Sequence, residues 1–159
     1  MPSLKSLVFC SLICSDSSKS TIFSTSSAKP LLIVALIDWI AKGPDLVIVS
    51  RYKDGAKSID DDIITAFGNW LFRFLINLFY FSKITDPMVI YRGFKLELIN
   101  ELNLMDERSY SIPEKIFNTQ ISWEPLMSIR AAKRKINYSE IPGDEPERIG
   151  GERKLKILK

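Results

Sequence analysis

The fold is decided by the stretch DLVIVSRYKDGA, residues 45–56. Its first half is a short run of mostly β-branched residues, with Gly43-Pro44 before it and a polar loop after it. This pattern is typical of a buried β-strand. We predict a strand over residues 45–52. Arg51 would then lie at its carboxyl end, the edge at which open α/β sheets bind ligands.

A helix is predicted immediately before this strand. Its apolar residues recur at helical spacing, and they are Leu31, Leu32, Val34, Ala35, Ile37 and Ile40. Gly43 follows the last of these residues, at the position where a residue with left-handed backbone conformation commonly ends a helix. A helix that runs through a short loop into a buried strand is typical of α/β domains, and α/β is the fold class that we predict.

Further elements are predicted from apolar spacing and from capping residues. They are helices over residues 63–81, 95–104 and 122–135, a possible short strand within residues 83–90 that Pro87 interrupts, and a strand over residues 136–142. One more helix is predicted to begin at Ser111, with the serine as its cap and Pro113 in its first turn.

Residues 1–29 differ in composition from the rest of the chain. They are rich in serine and contain a single acidic residue, Asp16. Lys5 and the apolar stretch after it resemble a secretory signal only loosely, because that stretch is short and no cleavage site follows it. We predict a disordered or unrelated segment over residues 1–29 and a folded domain over residues 30–159.

The overall composition is that of an ordinary globular protein, with 46% hydrophobic and 26% charged residues. The chain has no histidine, which excludes a Ser-His-Asp triad and every zinc site that needs histidine. Cys10 and Cys14 cannot form a disulfide framework, and they fit a reducing, cytoplasmic environment. A net charge of +3 is too small to indicate a nucleic-acid partner.

Two segments raise the question of a membrane contact. The run WLFRFLINLFYF, residues 70–81, is shorter than the roughly 18–20 apolar residues that cross a bilayer. A helix buried in the core is favoured there over a helix that lies in a membrane interface. Basic residues are dense from Arg130 to Lys159, where they could face phosphates, an anionic membrane or water. Peripheral contact with the cytoplasmic face of a membrane is therefore kept as an alternative.

Four stretches, in order over residues 30–159, resemble the C-terminal part of a family 2 glycosyltransferase catalytic domain, of the type that includes dolichol-phosphate mannose synthase. The first is DLVIVSRYKDGA, and the second is the following helix, with Thr65 and Asn69. The third is TDPMVIYRGFK, residues 85–95. The fourth combines SWEPLMSIRAAKRKINYSEIP, residues 122–142, with ERIGGERKLK, residues 147–156. Each is a weak motif alone, and their order and spacing carry the resemblance.

The resemblance implies a partial GT-A (nucleotide-diphospho-sugar transferase) fold. It also implies transfer of a sugar from a nucleotide-diphosphate sugar to a lipid-phosphate or saccharide acceptor in cell-envelope biosynthesis. Asp86 is implied as the general base. The residues implied in substrate binding are Arg51, Tyr91, Arg92, Glu124, Arg148 and Lys154.

Each implied role has a structural alternative. Arg51 could instead pair with Asp54 or the acidic residues that follow it, and Asp86 could simply form a turn with Pro87. The basic residues near Gly150-Gly151 could be a solvated tail.

The resemblance also indicates what this sequence lacks. Family members begin with a nucleotide-binding half and an Asp-x-Asp motif that holds a divalent metal, Mg²⁺ or Mn²⁺, and neither is found before Pro30. Asp60, Asp61 and Asp62 are misplaced for that role, and they are predicted to begin a helix. We therefore expect a truncated chain that is inactive by itself, with a non-catalytic remnant as the alternative.

Overall fold

The computed structural model describes residues 14–16, 19–24, 30–56, 63–118 and 121–144. Within these ranges the chain forms five strands and five helices. The strands are β1 (Cys14–Asp16), β2 (Lys19–Ser24), β3 (Leu46–Ser50), β4 (Arg92–Lys95) and β5 (Tyr138–Pro142). The helices are α1 (Pro30–Ala41), α2 (Ile63–Tyr80), α3 (Glu97–Glu101), α4 (Arg108–Phe117) and α5 (Trp123–Arg134).

The strands form one mixed sheet in the order β1-β2-β4-β3-β5. β3 pairs parallel with β5 and antiparallel with β4, and β4 pairs antiparallel with β2. Strands β2, β3 and β5 therefore run in one direction. Ile48 lies between Glu140 on one neighbouring strand and Arg92 on the other, so the sheet brings distant parts of the sequence together.

Helices cover both faces of the sheet. All five residues of β3 are buried, which requires apolar neighbours on either side of the strand. On one face, Leu36 and Ile40 of α1 pack with Val47, Val49 and Ile141. The opposite face holds the larger cluster, which α2, α3 and α5 help to enclose. Its buried residues include Leu46, Ile48, Ile76, Phe94, Leu98, Met127 and Ala131.

The predicted α/β class is confirmed, and so are the elements with the clearest local patterns. Helices α1, α2 and α5 and strands β3 and β5 form where the sequence predicts them. Gly43 has a φ of 124° and its N–H donates to the carbonyl of Ile40. The residue predicted to end α1 therefore does so in a conformation that favours glycine.

Three predicted elements are wrong in place or extent. No strand forms within residues 83–90, and the strand lies instead at β4, where it pairs with both β3 and β2. This pairing shortens the following helix to Glu97–Glu101. α4 begins at Arg108 rather than at Ser111, with Glu107 as its N-cap residue, and Asp106 Oδ1 accepts a hydrogen bond from the Arg108 N–H at this end of the helix.

Part of the segment for which we predicted disorder belongs to the sheet. β1 and β2 form a hairpin, and β2 pairs with β4 from Thr21–Lys95 to Ser24–Arg92. Residues 14–16 and 19–24 are thus strands within the segment predicted to be disordered or unrelated to the family, while the remainder of residues 1–29 lies outside the described residues. The division of the chain at residue 30 stays a prediction.

The prediction that α2 is a buried helix is also wrong. Its buried residues are Asn69 and Ile76, whereas most of its large apolar side chains are exposed. Among the described residues it is also the helix that is long and apolar enough to cross a membrane, although core helices of soluble proteins satisfy the same two criteria. The exposed apolar residues are Ile63, Ile64, Phe67, Trp70, Leu71, Phe74, Leu75, Leu78 and Phe79.

Gly143 provides a test of the packing between β5 and β3. A Cβ atom added there would lie 2.1 Å from Cγ1 of Val49, so Gly143→Ala should destabilise the fold by about 1–3 kcal/mol through overpacking. Gly68→Ala is the matched control, because a Cβ on this α2 glycine meets nothing within 4 Å. It should stabilise the fold by up to about 1 kcal/mol through helix propensity. Urea unfolding of both variants checks the prediction, and equal effects would contradict it.

Candidate functional site

The candidate site lies where the parallel strands β3 and β5 end. A turn follows β3, in which the Ala56 N–H donates to the carbonyl of Lys53, and Asp54 and Gly55 have φ values of 49° and 82°. A cavity of about 320 Å³ lies between this turn and the end of β5. Its lining residues are Asp54, Gly55, Ala56, Pro142, Gly143 and Asp144. The predicted ligand edge of the sheet is therefore an open, polar concavity.

Arg51 and Asp86 form an ion pair at this edge. The Arg51 Nε donates to Asp86 Oδ2 at 2.7 Å and its Nη2 donates to Oδ1 at 3.0 Å. The main-chain N–H of Arg51 donates to the same carboxylate at 3.1 Å. Asp86 is fully buried and Arg51 nearly so, with side-chain exposures of 1% and 11%. Arg51 thus pairs with Asp86, while Asp60, Asp61 and Asp62, which the structural alternative also named, lie outside the described residues.

This pairing brings two predicted site residues together, but it also occupies both oxygens of Asp86. Asp86 could therefore act as a base only after Arg51 turns away from it. The general-base role of Asp86 stays a prediction.

A second carboxylate, Glu140, lies beside this ion pair. Its Oε1 accepts from the N–H of Thr85 at 2.8 Å, and its Oε2 accepts from the Thr85 hydroxyl at 2.9 Å. The Thr85 hydroxyl in turn lies 2.6 Å from the Ser50 hydroxyl. Lys53 Nζ donates to the main-chain oxygen of Glu140 at 2.7 Å. These contacts join the ends of β3 and β5 to the segment that carries Asp86.

Burial raises the pKa of Glu140, and the hydrogen bonds from Thr85 and Asp86 and the charge of Lys53 offset this only in part. The carboxylate receives its hydrogen bonds from two main-chain N–H groups and one hydroxyl. Among the described residues, no cation forms a hydrogen bond with either carboxylate oxygen of Glu140. Glu140 therefore keeps its proton to a higher pH than an exposed glutamate does.

Arg92 lies inside the protein. It is fully buried, and burial lowers its pKa to about 10. The guanidinium donates to the carbonyls of Pro87, Val89 and Glu124 and to the Ser128 hydroxyl. Its predicted role in substrate binding stays a prediction. In this structure Arg92 ties the segment after Asp86 to helix α5, and it supports the site from within.

Tyr91 and Glu124 are also more buried than the resemblance implied. The hydroxyl of Tyr91 and Oε2 of Glu124 are buried and have no hydrogen-bond partner among the described residues. Burial raises the pKa of Tyr91, and its ring packs against both apolar clusters. Glu124 is 5% exposed in the first turn of α5. Neither side chain touches the Arg51–Asp86 pair through a hydrogen bond that the structure describes, so their predicted substrate contacts stay predictions.

Helix α2 reaches the site through its polar residues. Asn69 Nδ2 donates to the Tyr52 hydroxyl at 2.9 Å, and the guanidinium groups of Arg51 and Arg73 lie 5.4 Å and 6.0 Å from the Tyr52 ring. One turn further on than Arg73, Asn77 both donates to and accepts from the main chain of Ile84. The buried stripe of α2 thus contacts both chain segments that form the ion pair.

Several predicted residues lie outside the described part of the chain. They are Arg148, Lys154, Asp60, Asp61 and Asp62. Within the described ranges, no group of three or more histidine, cysteine, aspartate or glutamate side chains could hold a metal ion. The described residues therefore do not provide a ligand set for the divalent metal that the resemblance implies.

Comparisons with known proteins leave the family open. No protein-family model matches the sequence, and no curated protein matches it significantly. The resemblance to family 2 glycosyltransferases therefore stays a prediction that depends on the four stretches alone.

The sequence analysis missed Glu140, Thr85 and Ser50, which connect the site. One signal was present, because alternation along β5 places Glu140 on the same face as Tyr138, in register with Leu46 and Ile48 of the core strand. A carboxylate on the core face of a buried strand must find hydrogen-bond donors. The sequence did not reveal that the donors would come from Thr85.

The raised pKa of Glu140 predicts a pH-dependent stability. A group whose pKa is higher in the folded than in the unfolded protein stabilises the fold below its unfolded pKa, here the ordinary glutamate value of 4.5. That contribution is lost as pH rises through the folded pKa. Glu140→Gln should therefore flatten the fall in unfolding free energy on the alkaline side of pH 4.5, whereas Glu97→Gln, at an exposed site, should keep it. Urea unfolding between about pH 4 and 8 measures both, and identical slopes for Glu140→Gln and the unmodified chain would refute the prediction.

Proposed function

We propose that this chain forms the acceptor-side part of a GT-A-type glycosyltransferase site. The reaction would move a sugar from a nucleotide-diphosphate sugar to a lipid-phosphate or saccharide acceptor. One observation carries the proposal: three of the four stretches that resemble the family meet in one polar network. Arg51 comes from the first, Asp86 from the third and Glu140 from the fourth, and hydrogen bonds link all three segments.

The ion pair suits a site that receives an anionic substrate. Arg51 is planar and bidentate, which matches a phosphate as well as it matches a carboxylate. A phosphate arriving at the edge of the sheet would compete for the guanidinium and release Asp86. The freed carboxylate could then take the proton of an acceptor hydroxyl while the acceptor oxygen bonds to the anomeric carbon and the bond to the diphosphate breaks. A phosphate acceptor that is already ionised would need no such base.

The metal that the family uses would stabilise the charge on the departing diphosphate. Because the described residues lack a ligand set for it, no step is assigned to a metal here. In this proposal the nucleotide-binding half and its Asp-x-Asp motif belong to another polypeptide or to a longer form of this one. The 159-residue chain by itself is then expected to transfer no sugar.

Binding of a phosphate monoester in detergent micelles, such as a polyprenyl phosphate, tests this role of Arg51. Arg51→Ala should weaken binding about tenfold or more, because a hydrogen bond to a charged group is worth about 1.5–3 kcal/mol. Arg134→Ala is the matched control, since this arginine is exposed at the end of α5. It should leave binding unchanged. Equal affinities for the unmodified chain and Arg51→Ala would contradict the proposal.

A second candidate function, peripheral membrane binding, is favoured by the surface of α2. The helix contains no acidic residue, and its only charged residue is Arg73. Phe67, Trp70 and Phe74 form a stacked row with ring centroids 5.9 Å and 5.7 Å apart. These three rings are between 48% and 60% exposed. An exposed aromatic row on an amphipathic helix is typical of a helix that lies in the interface of a bilayer.

Arg73 gives this apolar surface a cationic border. Its guanidinium faces the Tyr52 ring, and among the described residues no carboxylate forms a salt bridge with it. An arginine beside an apolar helix face can reach lipid phosphates while its alkyl stem stays in apolar surroundings. The two candidate functions are compatible, because a lipid-phosphate acceptor would be presented at the same membrane surface.

Flotation with phosphatidylglycerol vesicles tests the membrane role. The double variant Trp70→Ser/Phe74→Ser should bind at least about tenfold less, since each large apolar side chain that leaves water contributes about 1.5–3 kcal/mol. The matched control is Ile112→Ser/Ile116→Ser, which removes two α4 residues that are 68% and 70% exposed. It should bind as the unmodified chain does. If the two double variants lose binding equally, or if the unmodified chain does not float, α2 is not a membrane contact.

A further inference from the structure

We propose that Glu140 is a positioning residue that holds Asp86 in place to pair with Arg51. The contact is made through the main chain, because Oε1 of Glu140 accepts from the N–H groups of Thr85 and Asp86, at 2.8 Å and 3.4 Å. The peptide that carries the Asp86 side chain is therefore fixed from β5. Arg51 follows β3, so the ion pair also depends on the end of β5, where the Glu140 carboxylate binds the main chain next to Asp86.

The hydroxyl groups of Ser50 and Thr85 extend this contact through hydrogen bonds whose donors and acceptors can be assigned. The Thr85 hydroxyl has a single hydrogen, and Oε2 of ionised Glu140 can only accept it. The 2.6 Å contact between the two hydroxyls then requires Ser50 to donate. The Ser50 oxygen in turn accepts from the N–H of Tyr52 at 3.2 Å. A chain of directed hydrogen bonds thus connects Glu140 to the residues on either side of Arg51.

Burying the Glu140 carboxylate to hold the Thr85–Asp86 peptide costs solvation free energy. A buried carboxylate whose oxygens meet no cation loses solvation that hydrogen bonds restore only in part. The charged and titratable groups around it come from every neighbouring element: Lys53 from the turn after β3, Asp86 from the segment before β4, Arg92 from β4 and Tyr138 from β5 itself. Lys53 binds the main-chain oxygen of Glu140 rather than its carboxylate. What the carboxylate holds is the Thr85–Asp86 peptide.

Hydrogen exchange and NMR of the full chain test this positioning. In Glu140→Gln one oxygen is replaced by a donor, and the Arg51 main-chain N–H and Nε–H should exchange about tenfold faster or more, the equivalent of one lost hydrogen bond to a charged group. The N–H of Val47, in the centre of β3, reports global opening and should change less than the Arg51 signals do. Thr85→Val removes only the hydroxyl relay, and it should accelerate the Arg51 and Tyr52 N–H groups while Glu140 still holds the peptide.

Asp45→Asn is the control, because Asp45 pairs with Lys95 at the opposite end of β3. It should leave the exchange of the Arg51 groups within about twofold of the unmodified chain, since no hydrogen bond at the site is lost. In the unmodified chain, the Thr85 amide and the Arg51 Nε–H should also titrate with one shared midpoint that disappears in Glu140→Gln. Unchanged Arg51 exchange in Glu140→Gln, or a shared midpoint that survives that substitution, would overturn the proposal.

The positioning itself does not rest on the proposed function, but its use in catalysis does. If Arg51 exchange responds to Glu140 while phosphate binding is insensitive to Arg51→Ala, the glycosyltransferase proposal fails and the positioning role stands. If Arg51→Ala weakens phosphate binding but the exchange of the Arg51 groups is unchanged in Glu140→Gln, the positioning role fails and the glycosyltransferase proposal stands.

Discussion

Every residue of β3 is buried, so its main-chain groups must be satisfied by strands on both sides and its side chains by apolar layers on both faces. β4 and β5 satisfy the first requirement, one antiparallel and one parallel. α1 contributes to one apolar layer, and α2 and α5 contribute to the other. The site follows from the same arrangement, because β5 carries Glu140, and the segment before β4 carries Asp86, to the end at which Arg51 leaves the sheet.

The elements that could be predicted from sequence are those whose signal is local. Helical spacing located α1 and α5, and a β-branched run located β3. β4 could not be predicted in this way, because RGFK has no strand pattern of its own and becomes a strand through its two partners. The start of α4 was missed because the helix begins three residues before Ser111, after Glu107, which provides no side-chain cap that the sequence could signal.

The candidate site was predictable in part. The sequence placed Arg51 at a strand end and singled out Asp86, but it could not pair them, because they lie 35 positions apart in the chain. The resemblance implied that Arg92 binds substrate, and the sequence did not reveal that it would be fully buried with two nearby acceptors, Pro87 and Val89, and two from helix α5. Buried charges depend on partners that only the tertiary structure supplies, and a motif contains no information about those partners.

The attachment of α2 has a mechanical consequence. Two asparagines fasten the helix to the site: Asn69 holds Tyr52, next to Arg51, and Asn77 holds Ile84, two positions before Asp86. These anchors are about 12 Å apart along the helix axis, and the outer surface between them is apolar and exposed. A partner that shifted α2 would therefore act on the segments of both Arg51 and Asp86, through Tyr52 and Ile84. The exposed apolar surface of α2 is in this way connected, through two side-chain hydrogen bonds, to the segments that hold the ion pair.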